Sequence, residues 1–295
     1  VTTNNFSIHF WGVRGSIPTP GISTVRYGGN TPCVEMRCNG KRLIFDGGTG
    51  LRVLGQCLLK EMPLEAHLFF THSHWDHIQG FPFFTPAYIA GNSFKIYGRV
   101  APNGQTIGDV LEEQMLHPNF PVPLRVMGAK LQFFDVQVPE VIPIGNDVYV
   151  ETGNLNHPGE ATGYRVCWGD RSAVYATDTE HFADKLDQNL VHLARNADVL
   201  ILDCTYTDEE LPLIQGTLNY TEQIVHCIQY ETCIISSLVR KNSDIISSVS
   251  SRSLSRPQWL PRKEERSQAL WIIYLKLCGI PPSCPVMGRM QSLLS

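Results

Sequence analysis

Thr71-His72-Ser73-His74-Trp75-Asp76-His77 gathers three imidazoles and one carboxylate into the six positions 72–77. The residues before it, 67–70, form an apolar run predicted to be a buried strand. The cluster therefore sits at a strand end, where α/β proteins place their chemistry. Packing does not explain such a density of polar rings. Histidine and aspartate suit zinc, iron or manganese, and His72 and His74, two residues apart at a strand end, can turn to one side and share an ion. Asp76 and His77, one turn further on, are placed to hold a second ion beside the first. The bland alternative is a solvated, histidine-rich loop.

Two downstream residues can complete such a pair of sites. His157, in Asn156-His157-Pro158-Gly159, follows a predicted strand over 148–151 and either joins the first ion or is a loop histidine with no partner. Asp178, in Ala176-Thr177-Asp178-Thr179, ends another predicted strand. It either caps a helix expected over 180–195 or bridges two ions, whose repulsion at about 3.5–4 Å calls for a shared anion.

Outward from this stretch, short apolar runs alternate with turns. Strands are predicted over 7–11, 33–38, 42–45, 163–168, 172–176 and 199–203, with Gly- and Pro-rich loops at 15–21 and 28–32. Leu51, Leu54, Leu58 and Leu59 recur at helical spacing, predicting a helix over 50–61, and another is expected over 106–116. Two sheets with helices outside is the economical α/β arrangement.

Composition bounds the rest. The 295 residues, 43% hydrophobic and 18% charged, contain no run of about 20 apolar residues, and the first 15 lack the pattern of a signal segment. Nine scattered cysteines without a CxxC pair argue against a disulfide framework, so a reducing cytoplasm is expected. Residues 1–210 carry a net charge of -8 and residues 211–295 one of +4; nine of the 21 residues in 236–256 are serine.

The cluster at 72–77, preceded by Asp46-Gly47-Gly48-Thr49-Gly50 and followed by His157 and Thr177-Asp178-Thr179, resembles the metallo-β-lactamase superfamily of hydrolases. Gly12-Val13-Arg14-Gly15-Ser16-Ile17-Pro18 and Tyr27-Gly28-Gly29-Asn30-Thr31 resemble its branch of cyclic-nucleotide phosphodiesterases and tRNA 3′-processing endonucleases. The likeness covers about residues 6–210. It implies an αββα sandwich with two divalent ions, zinc first and manganese or iron next, at the sheet edges. His72, His74 and His157 would hold one ion, Asp76 and His77 the other, with Asp178 between them and Asp76 orienting the attacking hydroxide. Asp46 either supports the ligand loop or is a turn residue before Gly47-Gly48.

The branch also implies a Gly-His-Ser-Thr segment and an apolar strand ending in His-His after Asp203, and neither is present. With free codon choice, 216–219 can be written GGG ACA CTC AAC T, which reads Gly-His-Ser-Thr one base later. In that same frame 231–238 can yield Lys-Leu-Val-Leu-Phe-His-His and 257–260 Pro-Asn-Gly-Ser. Three matches in family order, beginning where the charge balance changes, predict a domain over 1–210 and an atypical, frameshifted and poorly ordered tail over 211–295. The second metal position is expected to be weakened accordingly. A genuine serine-rich interaction tail is the alternative.

The expected substrate is a small phosphodiester such as a cyclic nucleotide. Folded RNA needs several clustered cations to meet its phosphates, and none cluster within 1–210. A non-hydrolytic metal-binding protein and a lactone or thioester hydrolase are the rival readings. Oligomeric state is not legible.

Overall fold

Apolar residues alternate along most of the strands, and that alternation builds the layers. In β3 (Lys41–Phe45), Leu43 and Phe45 face one core and Ile44 another. In β10 (Arg171–Ala176), Ala173 and Tyr175 face the first core, while Val174 and Ala176 face a third. Such period-two patterning, apolar on both faces, requires cover on both sides of each sheet.

The computed structural model describes residues 6–25, 27–180, 182, 187–203 and 232–236. One six-stranded sheet runs in the order β1 (Phe6–Gly12), β2 (Cys33–Cys38), β3, β4 (Glu65–Phe69), β5 (Ser93–Arg99), β6 (Lys130–Val136). The second runs β12 (Thr232–Ser236), β11 (Val199–Asp203), β10, β9 (Ala161–Trp168), β8 (Val148–Leu155), β7 (Val141–Ile144). β3 to β6 are parallel, as is the pair β10 and β11; the other neighbours are antiparallel. Between the sheets lies an aromatic centre, with the rings of Phe45 and Phe69 stacked at 5.3 Å and Tyr164 and Tyr175 tilted against Phe45 at 5.7 and 5.6 Å. Burying each such side chain contributes about 1.5–3 kcal/mol.

Helix α1 (Thr49–Leu58) covers the first sheet with Leu51, Leu54 and Leu58, joined by Ile107 and Leu111 of α3 (Ile107–Glu113). Helix α4 (Gln188–Ala194) covers the second with Leu190, Leu193 and Ala194. The result is the expected αββα sandwich. Several expected boundaries shift. The helix expected over 180–195 is, among the described residues, only Gln188–Ala194, because Asp187 caps it by accepting from the backbone N–H groups of Asn189 and Leu190. The helix expected over 106–116 spans Ile107–Glu113, its start fixed by a Thr106/Asp109 capping box. β12 lies within the segment 211–295, and the rest of that segment, with its proposed shifted motifs, is outside the described residues. No helix among the described residues is long and apolar enough to cross a membrane.

Beneath α1, buried Glu35 accepts from the Arg37 and Arg42 Nε groups at 2.7 and 2.8 Å and from Trp11 Nε1 at 3.2 Å, and Glu61 pairs with both arginines from the surface. Removing one partner of a buried pair costs about 3–5 kcal/mol. Because Glu61 still serves the arginines, Glu35→Ala is expected to cost about 2–3 kcal/mol in urea unfolding, whereas Glu61→Ala at the surface costs about 0.5.

Candidate metal centre

The chain leaving β4 is clamped by both sheets before it reaches the histidines: Phe70 N donates to the Tyr97 carbonyl of β5 at 2.9 Å, and β9 of the second sheet holds it from the other side. Tyr164 Oη donates to the Phe70 carbonyl at 2.6 Å, and Thr162 N donates to the Thr71 carbonyl at 2.9 Å. Residues 75–78 then make a single helical turn, α2 (Trp75–Ile78). The glycines around it exist for close approach. A Cβ at Gly80 would stand 1.9 Å from the Gly48 carbonyl oxygen, and one at Gly48 would stand 2.4 Å from that of Asp76. Gly47 N donates to the His77 carbonyl at 2.6 Å, so the Asp46-Gly47-Gly48 turn and the ligand turn interlock.

The six predicted side chains converge on one spot. His72, His74, Asp76 and His77 come from the segment that follows β4 in the first sheet, and His157 and Asp178 from the loops after β8 and β10. His74 Nδ1 and His157 Nε2 lie 3.1 Å apart, close to the roughly 3.3 Å that two nitrogens 2.0–2.1 Å from one tetrahedral zinc would show. Asp178 Oδ2 lies 2.5 Å from His77 Nε2 and 3.6 Å from His72 Nε2. Two groups of three can each hold an ion: His72, His74 and His157, and His72, His77 and Asp178. Asp76 falls outside the second trio, although its Oδ2 is 3.5 Å from His77 Nε2 and accepts from Ser16 N at 2.7 Å. Asp178, expected between the two ions, reaches both His72 and His77, and Asp76 stands beside His77.

Two of these atoms test the fit of a cation directly. His72 Nε2 is buried without a hydrogen-bond partner and lies 3.6 Å from Asp178 Oδ2, whose own contact is the ion pair with His77 Nε2; a cation between His72 and Asp178 relieves the costly state of the orphaned nitrogen. Protonation agrees. Burial first, and then the neighbouring histidines, hold His72 well below the ordinary imidazole range. Burial lowers His157 to about 4 and also lowers His74, so all three present neutral nitrogens at pH 7. His77 goes the other way: burial opposes its charge, but Asp76, Asp178 and Asp46 together hold it well above that range.

The alternative roles separate as well. Asp178 does not cap α4, which Asp187 caps nine residues later. Asp46 is no mere turn residue: its carboxylate accepts from Thr71 N at 2.8 Å and from Tyr175 Oη at 2.9 Å, and faces His77 Nδ1 at 2.8 Å. Both aspartates sit at positive φ, Asp46 at 61° and Asp178 at 56°, a conformation that Asp tolerates better than most residues and that is concentrated at functional sites. Helix α3 and the residues around it both pack on the first sheet and border the site. Ile107, Leu111 and Met115 are buried against the first sheet, and 105–107 line a cleft beside His72. Thr71 and Tyr175 were not singled out in the sequence, and no spacing signal marks them.

Residues 41–233 match the model of the β-lactamase superfamily domain. The chain belongs to that superfamily, and the match runs past residue 210 into β12. Among relatives, it is 25% identical over 195 residues to ribonuclease Z of Macrococcus caseolyticus (strain JCSC5402), an alignment covering 50% of this chain and 60% of that protein. Its fold is similar to that of the short form of human tRNase Z (TM-score 0.50, 18% identity, 75% of this chain and 86% of that one). It is equally similar to Zn(2+)-bound PqqB from Methylobacterium extorquens (TM-score 0.50, 14% identity, 74% and 77%).

Proposed function

We propose that this protein is a metal-dependent hydrolase of a small phosphodiester such as a cyclic nucleotide, acting in a reducing cytoplasm. The observation that carries the reading is the convergence of two ligand trios on His72, whose Nε2 is buried and without a hydrogen-bond partner. A bound divalent ion, zinc foremost, would supply Lewis acidity there. His72, His74 and His157 would hold it as neutral imidazoles. Asp178 and His77 would serve a second position, and Asp76, anchored by Ser16 N, would orient the attacking water and take its proton on a carboxylate oxygen. The ribonuclease Z relative supports phosphodiester chemistry. The net charge of -8 over residues 1–210 supports a small substrate over a folded RNA, whose binding calls for clustered cations.

The frameshift reading of residues 211–295 belongs to the same proposal, and one experiment addresses both. The metal-loaded chain and a version with the shifted frame restored from residue 216 are assayed on bis(p-nitrophenyl) phosphate, a cyclic nucleotide, precursor tRNA, a lactone and a thioester. Phosphodiester turnover is expected to exceed lactone and thioester turnover, with the restored chain faster. Activity confined to the lactone or thioester overturns the chemistry. Cleavage of precursor tRNA far above any cyclic nucleotide overturns the substrate size, and no gain on restoring the frame overturns the tail assignment.

A further inference from the structure

Beside the metal centre lies a cleft between the end of β5, the start of α3 and the turn joining β8 to β9. Phe70, Ile107 and Val110 give it an apolar lining, and His72 and Ser73 open it to the ligand cluster. Among the residues that line it, Arg99 is the one Lys or Arg. The backbone fixes this arginine closely, since a Cβ at the preceding Gly98 would stand 2.6 Å from the Ile107 Cβ. One arm of its guanidinium donates to Asn154 Oδ1 and the other meets Glu160 Oε2 at 2.9 Å. Glu160 is 49% exposed at its side chain and sits in a left-handed turn, φ 66°, three residues after His157.

The two contacts differ in kind. Asn154 lies on β8, a neutral acceptor that anchors the guanidinium without satisfying its charge. Glu160 is a half-exposed carboxylate, and exposed ion pairs hold weakly. A phosphate offers the same planar fork two oxygens and up to two negative charges, and so displaces a single carboxylate.

We propose that Arg99 is a specificity-determining residue that receives a second phosphate of the substrate, with Glu160 occupying the guanidinium until that phosphate arrives. The inference rests on the phosphodiester reading and narrows it: the preferred small diester carries an additional phosphate ester, as a cyclic nucleotide bearing a further phosphate does. Glu160 sets a threshold, because it repels ligand anions while holding the cation they need.

Calorimetric titration of the metal-loaded full chain with thymidine 5′-monophosphate and thymidine 3′,5′-bisphosphate tests this, the two probes differing by one phosphate. The bisphosphate is expected to bind about tenfold more tightly, the scale of one charge-assisted fork. Arg99→Gln brings the ratio close to one, Arg99→Lys leaves it intermediate, and Glu160→Gln raises it severalfold. A purely structural bridge between the sheets would be broken by either change, so Arg99→Gln and Glu160→Gln shifting the ratio in the same direction, or leaving it unmoved, overturns the proposal. Hydrolysis of thymidine 5′-(p-nitrophenyl phosphate) is followed in parallel. Its failure, with the opposed shifts in binding intact, counts against the hydrolytic reading alone; turnover with a flat binding ratio counts against Arg99 alone.

Discussion

His72→Ala is expected to strip the protein of tightly held metal and, with it, of hydrolytic activity. His72 belongs to both ligand trios, so its loss leaves each position with two side chains in place of three. Removing a residue that merely orients a ligand costs about 10–100-fold in metal affinity, and loss of a shared ligand should exceed that, to about 10³-fold or more at either position. Elemental analysis after dialysis should then find almost no zinc, whereas His74→Ala, which touches one trio, leaves the other whole. The same geometry limits the unmodified chain. His72 Nδ1 is 2.9 Å from Thr71 Oγ1, which leaves Nε2 as its one free nitrogen, so a single ion has a full three-residue shell. Fewer than two ions per chain should survive dialysis. Two ions retained by the His72→Ala protein would refute the shared-ligand assignment.

Asp46→Ala should be the most destabilising single change at the centre even without metal. Its carboxylate is the acceptor for Thr71 N and Oγ1 and for Tyr175 Oη, and the counter-charge for His77. Each buried donor left without an acceptor costs about 1–3 kcal/mol, and the losses overlap, so about 4 kcal/mol is expected. Against a typical domain stability of about 5–15 kcal/mol, that approaches unfolding. Asp46→Asn keeps one oxygen and tolerates φ 61°, and should cost about half as much. Urea unfolding of the metal-free proteins measures both; a change below about 1 kcal/mol for Asp46→Ala would mean the carboxylate is not the acceptor described.

The parts of this architecture that depend on neighbours in sequence are legible before any coordinates. Residues 33–38 and 199–203 are strands as their apolar runs indicate, and the 72–77 cluster does sit just beyond a strand. Helix α1 stops at Leu58 rather than 61, and Leu59, apolar by type, is 42% exposed. Four strands are not legible in the sequence: β12 lies in the segment read as a frameshifted tail, and the other three fail for separate reasons. β5 keeps its alternation only through Phe94, Lys95 and Ile96 before Gly98 ends it. β6 carries adjacent Phe133 and Phe134, which face opposite sides. β7 contains Pro143, tolerated because that strand forms the sheet's edge. The site divides in the same way. Four candidate ligands announce themselves within six residues, but Tyr175 reaches Asp46 across 129 positions, and only the packed fold brings Arg99 to Glu160.

The division of the candidate ligands between the two sheets ties chemistry to folding. His72, His74, Asp76 and His77 belong to one layer, His157 and Asp178 to the other. An ion bound by both sets is a rivet through the sandwich, and whatever affinity it has is returned as resistance to the layers parting, by about 2.7 kcal/mol when free metal exceeds its dissociation constant a hundredfold. Metal supply would then govern how long the protein lasts as well as how fast it works, and a chelator would shorten its life before any substrate was missed.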